Sequence, residues 1–561
     1  MSTFPWLTVL IAIPAVGALL VAAMPGAAAT AGERERHAKN LLAKRLALVI
    51  SLLTLAMTIA MIVNFAPGGP AFQFTQTYQW IPQFGIHYAV GVDGIGLVLI
   101  GMTAVLMPVV VLASWNDADP PAAPDEAAPG AGNGPAEGSA AGRSPAAARP
   151  RHSVKTYFVW MLLLEAMVIG LFAATDVFLF YVLFEAMLIP MYFMIGSYGV
   201  GQRQYAAVKF LLYSLLGGLL MLAAVIALYV YSARGGHPGT FLFSQLIHVP
   251  LSPEAAKWLF LGFFVAFAIK APLWPFHTWL PDAATSAQPG AAVLLVGVLD
   301  KVGTFGMIRY CLELFPSAAR YFTPLVLVMA VVGVLYGAVV AIGQADIKRL
   351  IAYTSVSHFG LIALGIFVLT SQGQSGATLY MVNHGFATGA LFLIAGFMIV
   401  RRRSHMINDY GGVQKVAPVL AGLFLIAGLA GLSLPGLSTF VSEFLVLVGT
   451  FTKYKAAAVA ATVAVILSAI YILWMYQRTM NGPVRDQVKD LPDLKARELW
   501  AVGPLIALII VFGVYPQPLL NIINPAVRHT LVQVHATDPV PPAPAIPVFH
   551  IITSSQKGSA P

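Results

Sequence analysis

Eight ionisable side chains stand inside long apolar stretches: Glu165, Glu185, Lys209, Lys270, Lys301, His358, His384 and Glu443, with Lys209 nearest the end of its stretch. Carboxylates, amines and imidazoles take up and release protons. A charge at the centre of a lipid bilayer costs roughly 2.5–3.5 kcal/mol on insertion scales, so a chain that keeps one there usually uses it. A single such group is often half of a structural ion pair. So many on separate stretches point to a hydrated polar line at mid-membrane depth.

The stretch Leu261 to Asp282, LGFFVAFAIKAPLWPFHTWLPD, concentrates these features. Lys270 lies too deep to reach either surface easily, and Pro272 and Pro275 follow it in the next turn. Each proline lacks a backbone donor, so the carbonyls of Ala268 and Ala271 are expected to lose their helical partners. Such carbonyls are tolerated at membrane depth only beside protein or water, and interrupted helices at that depth bind ions in many transporters. Glu185, in VLFEAMLIPMYF with Pro190 behind it, supplies a charge of opposite sign. Low dielectric disfavours either charge alone, and each partner restores the other's charged form, so separating the two switches proton affinity. Moving a proton against about 150 mV takes roughly 3.5 kcal/mol, equivalent to about 2.5 pKa units.

The elements that must hold these groups are helices in lipid. Of 561 residues, 58% are hydrophobic and only 10% charged, against roughly 25% charged in soluble domains, and the mean hydropathy is +0.80. The fold class is therefore all-α and polytopic in the lipid bilayer. The net charge of +9 sits in short loops between apolar runs and forms no face that could track phosphates, so no nucleic acid partner is expected. A single cysteine, Cys311, excludes an internal disulfide and a cysteine-ligated cluster or zinc site within this chain alone. With neither a GxGxxG after a strand nor a Walker A sequence, no nucleotide, metal or other cofactor is expected here, and any redox chemistry belongs elsewhere.

Apolar runs long enough to span lie at about 4–24, 46–65, 92–114, 156–174, 176–198, 205–231, 256–280, 287–312, 320–342, 347–370, 376–400, 416–450, 456–477 and 498–515. The first is too long for a signal-peptide core and has no basic residue before Arg34, so it counts as a span. Alternate loops hold 22 of the 32 lysines and arginines, against 7 on the other side, which predicts that both termini face outward. Residues 116–153 are rich in Ala, Pro and Gly without large apolar side chains, and read as a disordered cytoplasmic linker. The tail beyond Pro516, proline-rich at VPPAPAIP, is too weakly apolar to span again and is expected to lie along a neighbouring subunit.

FYVLFEAMLIPMYFMIG, YAAVKFLLYSLLGG, FAIKAPLWPFHTWLPDA, DIKRLIAYTSVSHFG, NHGFATGALFLIAG and LPGLSTFVSEF stand in order through residues 155–480. Together they resemble the antiporter-like membrane subunits of respiratory complex I, NADH:quinone oxidoreductase, which are related to Mrp-type antiporter subunits. The resemblance implies a proton-translocating subunit driven by redox chemistry in partners. NADH, FMN, Fe–S clusters and quinone would be bound by those partner subunits, and other antiporter-like subunits would be neighbours. It also implies two inverted five-helix repeats, spans 4–8 and 9–13, with broken spans 7 and 12; PLWP and LPG interrupt one run in each half. The resulting division is 1–115, the linker 116–153, repeats at 154–315 and 316–480, and 481–561. Carried onto matching positions, Glu185 and Lys270 form the coupled pair with Lys209 near it. His277, Lys301, His358 and His384 form the central relay, and Glu443 the terminal proton site. Asp300 departs from the family pattern, which has an apolar residue there. Adjacent helix positions diverge by about 100°, so Asp300 is expected to pair with a neighbouring helix; facing Lys301, it would instead hold that lysine charged. A cation/proton antiporter subunit of the Mrp kind and a proton-inert scaffold are the alternatives. The scaffold predicts that neutral replacements of the buried charges are harmless.

Overall fold

The computed structural model describes residues 4–25, 33–119, 153–236 and 238–539. Among them, twelve helices are long and apolar enough to cross a membrane. The chain opens with α1 (Trp6–Ala23), α2 (Glu33–Val63), an antiparallel hairpin of β1 (Gln73–Ile81) and β2 (Ile86–Val92), and α3 (Gly94–Ala113). There follow α4 (Val154–Ala173), α5 (Val177–Ala186), α6 (Leu188–Gly196), α7 (Arg203–Ser232) and the single turn α8 (Phe243–Leu246). Pro190 cannot donate to the carbonyl of Ala186, and α5 gives way to α6 at Met187, one turn before that proline. This kink comes directly after Glu185.

Two apolar runs are interrupted where the prolines predict. One is α9 (Pro253–Lys270) followed by α10 (Trp279–Ser286); the other is α16 (Pro418–Gly431) followed by α17 (Ser438–Phe451). The first extends further than hydropathy suggested, because residues 281–286, expected to be a loop, continue α10. Between these pairs stand α11 (Pro289–Leu294), α12 (Asp300–Gly306), α13 (Pro316–Ile342), α14 (Ile347–Phe367) and α15 (Ser371–Arg402). Wider π-helical turns, Leu295–Leu299 and Met307–Leu312, flank α12. The chain continues with α18 (Lys455–Met480), α19 (Ala496–Val514) and α20 (Gln517–Gln533). The stretch from Pro289 to Leu312 is wholly buried, and α14 and α15 nearly so, whereas α7 and α18 keep broad exposed apolar faces suited to lipid.

Small residues bring the central helices together backbone to backbone. A Cβ on Gly303 of α12 would lie 2.6 Å from the backbone N of Ala271, and one on Gly376 of α15 would lie 2.8 Å from that of Val446 in α17. Of the tail, α20 is amphipathic and packs on α3 and α15 of this same chain. VPPAPAIP lies outside the described residues, as does the expected linker from 120 to 152; at its near edge Asp119 pairs with Lys44 at 2.7 Å.

An ionic clamp joins α3, the end of the π-helical turn and α20. Arg309 pairs with Asp93 at 2.6 Å and Glu313 at 3.3 Å, and Thr530 donates to Glu313 at 2.7 Å. Asp93 also caps α3 through Gly96 N–H at 2.8 Å. Replacing Arg309 with Leu leaves two buried carboxylates unpaired and is expected to destabilise the chain by about 3–5 kcal/mol. The measurement is the thermal stability and amount of membrane-inserted protein; unchanged values would contradict the clamp.

Candidate functional site

The interruption after α9 is closed by protein. Of the carbonyls expected to be freed, that of Ala268 instead accepts from Leu273 N–H at 2.9 Å, and the neighbouring carbonyl of Ile269 accepts from the Trp279 indole N–H at 2.9 Å. Lys270 ends α9 just before this break. Its Nζ is buried without a hydrogen-bond partner among the described residues, 4.8 Å from the Phe184 ring centre and 5.6 Å from that of Phe210. Glu185 interacts electrostatically with Lys270, but no ion pair joins them, and Glu185 Oε1 is likewise unpartnered. The carboxylate occupies space left by Gly218 on α7, where a Cβ would fall 1.6 Å from Oε1. Lys209 donates instead to Asp282 at 2.7 Å, and Arg349 of α14 donates to the other oxygen of Asp282 at 2.8 Å. Asp282, which the sequence did not single out, therefore ties α7, α10 and α14 together. His277 lies between α9 and α10 with both ring nitrogens unpartnered among the described residues, packed against Tyr336 at 4.9 Å between ring centres and free of bonds to Lys301, His358 and His384.

A second group of residues is in closer contact. Lys301 Nζ donates to the carbonyl of Val296 at 2.6 Å and lies 2.7 Å from His384 Nδ1. Val296 belongs to the π-helical turn, where widened backbone bonding can leave a carbonyl free for a side chain. The ring centres of His384 and His358 are 5.3 Å apart, and those of His358 and Tyr380 are 5.7 Å apart. His384 Nε2, His358 Nδ1 and the Tyr380 hydroxyl are buried and without formed hydrogen bonds among the described residues. Tyr380 interacts in turn with Glu443, which accepts a hydrogen bond from Ser433. Ser433 stands in the α16–α17 break with φ of +58°, a left-handed backbone that a serine adopts at a cost of about 1–3 kcal/mol and that directs its hydroxyl to the carboxylate. Asn383 of α15 holds the start of α17 through Ser438 O at 2.6 Å.

The hydrogen bond between Lys301 and His384 can run in either direction. With Lys301 as ammonium, Nδ1 accepts; once the proton has crossed, the imidazolium N–H donates to the amine and the other ring nitrogen can release its proton toward His358. A ring rotation or one bridging water would convert that ring contact into a hydrogen bond. Glu165 is buried on α4, outside this line, with both oxygens unpartnered among the described residues. Asp300, expected to pair with a neighbouring helix, also has no hydrogen-bond partner for either oxygen among the described residues. Tyr380 and Ser433 complete the line and were missed: one reads as an apolar position and the other as a turn residue.

The sequence matches the profile of the NADH:quinone oxidoreductase/Mrp antiporter transmembrane family over residues 174–468. An NADH-quinone oxidoreductase subunit M from Mycobacterium tuberculosis is 52% identical, over 97% of this chain and 98% of that relative. A chain of respiratory complex I from Thermus thermophilus with bound NADH superposes with a TM-score of 0.79 at 31% identity, covering 94% of this chain and 99% of that one. A chain of the Mrp complex from Dietzia sp. shares the fold, with a TM-score of 0.76 at 19% identity over 95% of this chain and 100% of that one.

Proposed function

Because this chain belongs to the NADH:quinone oxidoreductase/Mrp antiporter transmembrane family, whose members include subunit M of complex I, we propose that its buried ionisable residues form the proton path of a membrane-arm subunit. As a member of that family it is a proton-translocating component of NADH:quinone oxidoreductase. Glu185 and Lys270 act as the switch, with Lys209 held in reserve by Asp282. His277 accepts protons near the α9–α10 break, Lys301, His384 and His358 pass them on, and Glu443 releases them. One observation carries this reading: the succession of neighbouring side chains Lys301, His384, His358, Tyr380 and Glu443 across α12, α14, α15 and α17, hydrogen-bonded at Lys301–His384 and in ring contact from there to Tyr380.

The two interrupted helix pairs occupy corresponding places in an inverted five-helix repeat, with halves at 154–315 and 316–480. The lysine and arginine bias orients both termini outward, in a bacterial inner membrane, so that Glu443 lies toward the releasing side. Other antiporter-like subunits are the natural neighbours, and NADH, FMN, Fe–S clusters and quinone belong to partner chains.

Lys301→Ala tests the reading. In assembled complex, the variant is expected to lose proton pumping by about a hundredfold or more, the range of a positioned acid–base group. Proton yield per electron, measured in inverted vesicles and normalised to complex content, decides; normal yield would overturn the path.

A further inference from the structure

Between the Glu185–Lys270 switch and the line that starts at Lys301 there is a gap, and Asp300 stands in it. Gly303 of α12 abuts the backbone of Phe267 and Ala271, so that face of α12 looks toward the end of α9. Asp300 is three residues earlier, about 60° around the helix and on the same face, whereas Lys301 is about 160° from Gly303 and faces α15. Among the described residues, the wholly buried carboxylate of Asp300 has no hydrogen-bond partner, and neither has the ammonium of Lys270. The charges that act on Asp300 are those of Lys301 and Lys270. A static counter-ion would be hydrogen-bonded, because a buried unpaired charge is costly. Two orphan groups of opposite sign on touching helices mark a contact made in another side-chain arrangement.

We propose that Asp300 is a proton carrier joining Lys270 to Lys301, a link that rests on the proton path described above. The Lys270 ammonium gives a proton to Asp300 Oδ, leaving a neutral amine and a carboxylic acid. That step cancels two charges in a low-dielectric site. The Asp300 carboxyl then protonates the neutral amine of Lys301, restoring the carboxylate and forming the ammonium that hydrogen-bonds to His384. Each step breaks one O–H or N–H bond and forms another, with no net change in charge.

Asp300→Asn and Asp300→Glu, made in the intact complex beside Lys301→Ala, test the link. Asp300→Asn is expected to slow pumping and coupled quinone reduction about tenfold at every pH, less than the hundredfold of a directly positioned acid–base group, because water carries part of the flux. Asp300→Glu retains most of the rate, since a carboxyl remains to titrate. Normal pumping in Asp300→Asn with loss in Lys301→Ala overturns this link alone; normal pumping in both overturns the proton path as well. An unchanged maximal rate with a shifted pH optimum would make Asp300 a fixed counter-charge and overturn the proposal. So would failure of both Asp300 variants to assemble, which would make it a structural ion.

Discussion

Glu185→Gln and Lys270→Ala each abolish proton pumping while the complex still assembles. Glutamine keeps the shape of Glu185 in the space opened by Gly218, and among the described residues neither Glu185 Oε1 nor Lys270 Nζ has a hydrogen bond to lose. Glu185→Gln therefore gives up little packing and no ion pair, and Lys270→Ala gives up the contacts with Phe184 and Phe210 but no ion pair. Each gives up a titration, and with it the switch that must supply about 3.5 kcal/mol per proton against 150 mV. Coupled quinone reduction is expected to fall by about a hundredfold or more. Assembled complex on native gels and proton yield from the same membranes are the paired measurements; near-normal pumping in an assembled variant would exclude the switch. A proton-inert scaffold predicts the reverse, with assembly unchanged or improved and pumping intact.

At the other end of the line, Glu443→Gln impairs pumping far more than assembly, and Glu443→Asp keeps part of it. The carboxylate is buried among Ser433, Tyr380 and the α16–α17 break. Glutamine still accepts from Ser433, so the local fold survives while the releasable proton disappears. Aspartate titrates with a shorter reach and a weakened bond to Ser433, and about a tenth of wild-type pumping or more is expected to remain. A carboxylate that served only as an ionic contact to a neighbouring subunit would give poor assembly in Glu443→Gln and a normal proton yield in whatever complex forms. Complex content and proton yield on one preparation separate the two outcomes.

The apolar runs, their two interruptions and the buried charges were legible because lipid imposes a coarse and insistent pattern: about twenty apolar residues per crossing, with every exception conspicuous. What escaped has local physical causes. Asp282 follows the end of an apolar run at 280 and so reads as the start of a loop, although its two oxygens join α7 to α14. Tyr380 looks like one more aromatic in a core helix, and its hydroxyl matters only through the position of Glu443. Ser433 depends on a left-handed backbone that no residue type announces. Alternation in FTQTYQWI marks β1, but a short polar hairpin between long apolar runs is easily passed over. The amphipathic α20 was hidden by a tail composition dominated by its proline-rich end.

The contacts at Gly303 and Gly376 bear on how a stroke could travel. Where α12 meets α9 and α15 meets α17, main chains touch with no side chain between them, so a slide of even an ångström would force peptide groups into one another. Close-packed interiors resist such compression. The central rods are thus a fixed frame with little play, and shear between them is a poor candidate for the moving part. What remains free to change is small and light: the rotamers of Lys270 and of the unbonded carboxylates, and imidazole orientation. A signal crossing this subunit would then run as charge rearrangement through a rigid body.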